Sequence, residues 1–366
     1  MGMLMGRVHS IDYLRGIMAL SVLIYHYLSW TLGVPDSSTV IGRLGVYAVS
    51  TFYVISGISL YIVYRQEAWT PANLLRFAVK RYFRIAPLFI LAASLTVLMA
   101  SILHGVFNPD WPAYFANASL TFGFYDPRGY IPGGGWSIGN EIVFYVMFPA
   151  LIFFTRNTVT FALSMLTLFG IYLYFAFYVL TPEASLAAQW LTYINPLNQA
   201  FLFGMGVAIG KLATNMRHAS KKGMAVLLAI AVGAFAFFPA SGNQINIVSG
   251  FNRILFTAFC GLVCFSLTMM RMGGDNIVER VLNFFGDISY SLYLLHIVVA
   301  KFFRSFILPE FPDLGPHGKL AVLVLVAAPF TVLISFLVYT YIEKPVIRMA
   351  KRITKSRKTY RAEKAA

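Results

Sequence analysis

Ten stretches of roughly 20 mostly apolar residues run through this chain, near 11–32, 45–64, 85–106, 139–155, 159–180, 197–213, 223–239, 251–270, 284–303 and 320–342. Each is about the length an α-helix needs to cross the hydrocarbon core of a bilayer. The runs are continuous rather than alternating, which excludes a transmembrane barrel and leaves helices, whose backbones satisfy themselves in lipid. Composition agrees. Of 366 residues, 58% are hydrophobic and 12% charged, about half the charge of an ordinary soluble domain. Soluble enzymes, disordered tails and secreted disulfide scaffolds are thereby excluded. The chain reads as an all-α polytopic membrane helix bundle of about ten spans over residues 1–350, with a basic tail at 351–366.

The formal charge of +15 is unevenly placed. Of the Lys and Arg between spans, 22 fall on the side holding both termini and six on the other. The positive-inside rule puts both termini in the cytoplasm, where the basic tail rests on anionic headgroups. No nucleic-acid motif accompanies this charge, so no nucleic-acid partner is expected. A cleavable signal peptide is not expected either, because the first apolar run is too long and carries Asp12 and Arg15. The longest outer loop, about 107–138, is rich in Pro, Gly and aromatics. It either caps the bundle, the simpler role, or borders a substrate entrance.

Ionisable groups inside spans cost about 2.5–3.5 kcal/mol each on insertion scales, so each is a functional candidate. The first span holds Asp12, Arg15 and His26. Asp12 and Arg15 are three apart and can pair. Arg15 and His26 share a helix face, about 16 Å apart along the axis. Asp12 and Arg15 can equally sit at headgroup level, with Arg15 snorkelling; His26, deeper, can equally be a neutral core histidine bonded to a tyrosine. Arg81 and Arg84, preceded by Lys80, present two guanidinium forks to one patch, a geometry suited to phosphate. Positive-inside anchoring would place the same residues there. Trp136-Ser137 and Glu141 open the fourth span, with Glu141 near its outer edge. Phe52–Gly57 is a small-residue site for close helix approach. Tyr293 and His296 are three apart on one face, where a hydrogen bond between them would be structural or line a path. Cys260 and Cys264 read as packing. No metal-ligand cluster, phosphate loop or Ser-His-Asp arrangement is legible, and Asn117-Ala118-Ser119 is a weak glycosylation match.

Taken in chain order these signals are specific. Arg15 and His26 are followed by Phe52–Gly57, Arg81-x-x-Arg84-Ile85 with Pro87, Trp136-Ser137 with Glu141 and Phe144-Tyr145, Ile288–His296, and Glu343-Lys344-Pro345. The series resembles the integral-membrane acyltransferase-3 family, which includes O-acetylases of bacterial O-antigens, exopolysaccharides and Nod factors. The resemblance covers roughly residues 7–350. Gly139-Asn140 and Tyr53 depart from the family's usual wording at positions of packing. The last span lies close to the end of the sequence, so a single-domain member without an appended extracellular hydrolase-like domain is expected.

The resemblance implies a bacterial cytoplasmic-membrane enzyme with acyl-coenzyme A, usually acetyl-CoA, as co-substrate, no permanently bound cofactor and no metal. The acceptor is a hydroxyl of a cell-surface or lipid-linked saccharide. His26 would be the essential histidine, as general base or transient acyl carrier. Arg15 would be its partner, oriented by Asp12. Arg81 and Arg84, helped by Lys80, would hold the donor, and Glu141, Trp136, Ser137, Tyr293 and His296 stand on the acceptor side. This reading requires the His26 ring to reach a cavity rather than lipid. A polytopic transporter of a sugar-linked substrate and an idle synthase partner are the rival classes, although the inverted repeats common in transporters are absent. Whether the bundle forms a homo-oligomer stays open.

Overall fold

Each of the ten apolar runs forms a helix. In a computed structural model describing residues 8–216, 219–270, 272–274 and 276–354, these are α1 (His9–Thr31), α2 (Val40–Tyr64), α3 (Pro71–His104), α4 (Trp136–Phe154), α5 (Thr158–Val179), α6 (Pro196–Asn215), α7 (Lys221–Phe237), α8 (Gly250–Met270), α9 (Ile277–Glu310) and α10 (Pro316–Ile353). No strand occurs among the described residues. The expected basic tail lies outside them from Lys355 onward. Seven helices, α2–α5 and α8–α10, are long and apolar enough to cross a membrane. The other three carry the interruptions: Asp12, Arg15 and His26 in α1, Asn198 and Gln199 in α6, and a length of only 17 residues in α7.

Two helices run furthest past their expected ends. α3 begins at Pro71 rather than near 85, because Arg76, Lys80, Arg81 and Arg84 lower hydropathy yet are good helix formers. Its start is set by Thr70, whose side chain accepts from the Asn73 N–H, with Pro71 in the first turn. α10 continues beyond Glu343 through a π-helical turn, Tyr339–Glu343, a local widening common at functional positions.

Close helix contacts form where glycines remove the side-chain spacer. A Cβ on Gly206 of α6 would overlap the carbonyl oxygen of Val54, and one on Gly57 the carbonyl of Phe203. The Phe52–Gly57 segment is therefore the close-approach site expected of it. α1 and α9 meet in the same way, with Gly16 against the backbone of Phe285 and Gly286. Gly206→Ala is expected to destabilise the bundle. The gain of about 1 kcal/mol in helix propensity is outweighed by about 1–3 kcal/mol of overpacking against backbone that cannot move aside. Gly170→Ala, which meets nothing within 4 Å, serves as the control, and thermal unfolding in detergent separates the two.

The long loop over 107–138 is tied together from within. Asn117 is fully buried: its amide donates to the carbonyls of Ala113 and Gly129 and accepts from the Ile131 N–H. The glycosylation match therefore falls on a structural asparagine. Elsewhere on this side the Ser38 and Gly242 N–H groups hold the Asp36 carboxyl below its usual range. Arg43, 2% exposed, donates to the carbonyls of Ser37, Phe235 and Phe238 and so closes the end of α7.

A polar cavity beside a histidine pair

One end of the bundle encloses a cavity of about 320 Å³. Its wall is drawn from the first third of α1, the second half of α2 from Val49 on, the first half of α3, the N-terminal half of α4, the middle of α9 and the end of α10. Four cations line it, Arg15, Arg81, Arg84 and Lys351, against one carboxylate, Glu141. A small, low-dielectric space with this balance favours an anion.

Arg15 is paired with Asp12 at 3.5 Å and remains partly exposed toward the cavity. The Arg81 guanidinium lies 5.7 Å from the ring centre of Tyr64 and 5.8 Å from those of Phe77 and Tyr145. Its buried Nε has no hydrogen-bond partner among the described residues. Arg84 is differently placed: its Nη1 donates to Glu343 at 2.6 Å, and the Ser291 hydroxyl donates to the other Glu343 oxygen at 2.9 Å. Lys80, expected beside them, is not on the cavity wall.

The expected division into a donor side and an acceptor side does not follow the geometry. Glu141 accepts from the Ser56 hydroxyl (2.9 Å) and the Tyr145 hydroxyl (2.6 Å) and shares the cavity with Arg15 and Arg81 rather than standing at an outer edge. Ser137 and Tyr293 line the same space, their hydroxyls 2.8 Å apart. The Tyr293 hydroxyl also donates to the Gly134 carbonyl, so it is not the hydroxyl that bonds His296, which instead finds the Tyr293 backbone. The two rings lie 6.0 Å apart. Trp136 is buried off the cavity, edge-on to Tyr53 and Trp190.

His26 does not bond to a tyrosine. Its Nδ1 lies 3.0 Å from Nε2 of His296 on α9, and its ring stacks on Trp30 at 5.1 Å, which in turn lies under Arg304. The ring is turned into the bundle and partly exposed. The ring therefore faces protein rather than lipid but is not on the cavity wall, so the expectation that it would reach a cavity is not met: the wall stops at Phe52 and Tyr293, with His296 next to Tyr293. Sequence reasoning missed two elements here. Glu343 appeared only as part of a terminal motif, although it is 3% exposed. The histidine pairing had a signal: Gly16 to His26 and Gly286 to His296 are both ten residues, so helices touching at the glycines carry the imidazoles to one level.

The fold is thus that of an apolar helix bundle enclosing a cation-lined cavity next to paired histidines. Residues 8–340 match the family described as an acyltransferase domain, and the chain belongs to that acyltransferase family. It is 26% identical over 324 residues to the exopolysaccharide production protein ExoZ of Rhizobium meliloti (strain 1021), covering 85% of this chain and 93% of that one. It is 24% identical over 374 residues to the O-acetyltransferase OatA of Staphylococcus aureus (strain NCTC 8325 / PS 47), covering 92% of this chain. It spans 57% of the length of that protein. No solved structure matches.

Proposed function

We propose that this protein transfers an acetyl group from acetyl-CoA to a hydroxyl of a cell-surface or lipid-linked saccharide, working as a multi-pass protein of the bacterial cytoplasmic membrane. The observation that carries this reading is the cavity with four cations and one carboxylate, in a chain of an acyltransferase family whose relatives are named for exopolysaccharide production and O-acetyl transfer. At about 320 Å³ the cavity is at the small end of ligand sites. It suits the slender arm of coenzyme A, with the phosphates held at its mouth by Arg15, Arg81 and Lys351.

In the chemistry proposed, His26 Nε2 takes the proton of the acceptor hydroxyl as its oxygen attacks the thioester carbonyl. The C–S bond then breaks, and the coenzyme A sulfur leaves with the proton returned from the imidazolium. The acyl group would reach His26 past Tyr293 and Phe52. Proteoliposomes given labelled acetyl-CoA test the reading. Label appearing covalently on a saccharide supports it, while solute movement without labelling would make the protein a carrier.

Arg81→Gln is expected to raise the KM for acetyl-CoA about 10- to 100-fold, the loss of a charge-assisted contact, with kcat little changed. Arg81→Lys should recover only part, since an ammonium lacks the planar fork. An unchanged KM in Arg81→Gln would leave that residue a topological anchor.

A further inference from the structure

The histidine pair has a direction. His296 is fully buried, and its Nδ1 lies 3.1 Å from the carbonyl oxygen of Leu292 one turn back on α9. A carbonyl can only accept, so Nδ1 of His296 carries the hydrogen. A neutral imidazole has one N–H, which leaves Nε2 of His296 as an acceptor. Nε2 faces His26 Nδ1 at 3.0 Å, so the hydrogen of that bond belongs to His26. The backbone of Val22, one turn back on α1, is a further hydrogen-bond partner of the His26 ring.

A doubly protonated His296 would reverse the bond, but it would bury a cation with no carboxylate in contact among the described residues. Glu343 is engaged by Arg84 and Ser291, and Glu141 by Ser56 and Tyr145. An unpaired charge at this depth is costly.

We infer that His296 is a positioning residue that holds His26 in its Nδ1–H tautomer, through the chain Leu292 carbonyl, His296, His26, and thereby leaves His26 Nε2 as the basic atom. The inference rests on the reading of His26 as the group that meets the acceptor hydroxyl. When Nε2 takes the proton, the bond to His296 becomes charge-assisted and shares the positive charge. A neutral partner does here what a carboxylate does in a hydrolase triad, without burying an anion between α1 and α9. With Nδ1 turned to His296, Nε2 of His26 is the ring nitrogen left for the reacting hydroxyl.

The test combines rates with ¹⁵N-histidine NMR of the full chain in detergent, the His26 signals being assigned by their loss in His26→Asn. Wild type is expected to show His26 protonated at Nδ1 and bare at Nε2. His296→Ala is expected to lower kcat about 10- to 100-fold, with the KM for acetyl-CoA unchanged and the His26 tautomers mixed. His296→Gln places an amide oxygen near the position of Nε2 and should restore both tautomer and most of the rate. His296→Asn is too short and should behave like Ala. Should the Ala variant fail to fold, the Gln and Asn variants still carry the comparison.

Protonation of Nε2 in the wild type, equal rates for Gln and Asn, or a wild-type kcat in His296→Ala would each overturn the inference. A fast His296→Ala beside an inactive His26→Asn would remove the relay alone. Activity in His26→Asn would instead remove the assignment of His26 on which it rests.

Discussion

Replacing His26 by Ala is expected to cut acetyl transfer about 10²- to 10⁴-fold, the range a positioned general base contributes, while the protein still inserts and folds. The substitution removes the ring nitrogen that takes the proton. It also removes the hydrogen bond to His296 and leaves a buried acceptor unpaired, at about 1–3 kcal/mol. The two losses can be separated. In His26→Asn the side-chain amide lies near the former Nδ1 and can still donate to His296 Nε2, but nothing remains to accept a proton. That variant should be as inactive as Ala and more stable than it. Release of coenzyme A and labelling of the acceptor measure the first effect, and thermal unfolding measures the second. A rate close to wild type in His26→Asn would show that the chemistry lies elsewhere in the bundle.

The parts of this structure legible in the sequence are those set by local physics. Hydropathy over about 20 residues located all ten helices, because lipid leaves the backbone no other choice. The same measure misplaced the start of α3 and the end of α10, where basic residues continue the helix beyond the apolar run. Ionisable residues in an apolar run pointed to Arg15 and His26, and the paired guanidinium forks to Arg81, without any knowledge of packing. The order of helices in the bundle was not legible, and the site depends on it. Arg84 and Glu343 are 259 residues apart, and His26 and His296 are 270 apart. Arg43 lies between the first two apolar runs, and only the fold brings the carbonyls at the end of α7 around it. Glu141 was assigned to an outer edge because its depth was judged from its distance to the end of α4, whereas Ser56 and Tyr145 draw it into the cavity.

Arg84→Ala is expected to cost more stability than any change to its partner, because the two ends of the ion pair are unequally buried. The Glu343 side chain is 2% exposed and that of Arg84 is 28%. Removing Arg84 strands a buried carboxylate with only the Ser291 hydroxyl, at about 3–5 kcal/mol. Removing Glu343 leaves a guanidinium that can turn toward water in the cavity, at about 1–3 kcal/mol. Their bond joins α3 to the π-helical turn of α10, and Ser291 brings α9 to the same point, so the lost stability should appear in the Tm of the whole bundle. Arg84 also lines the cavity, and the double variant Arg84→Met with Glu343→Gln distinguishes its two roles. With no charge left to strand, Tm should recover most of the loss seen in Arg84→Ala. The KM for acetyl-CoA should stay high, because the cavity still lacks one cation. Recovery of both would make Arg84 a strut between helices with no part in donor binding, and an unaltered Tm in Arg84→Ala would mean that Glu343 is neutral in the folded protein.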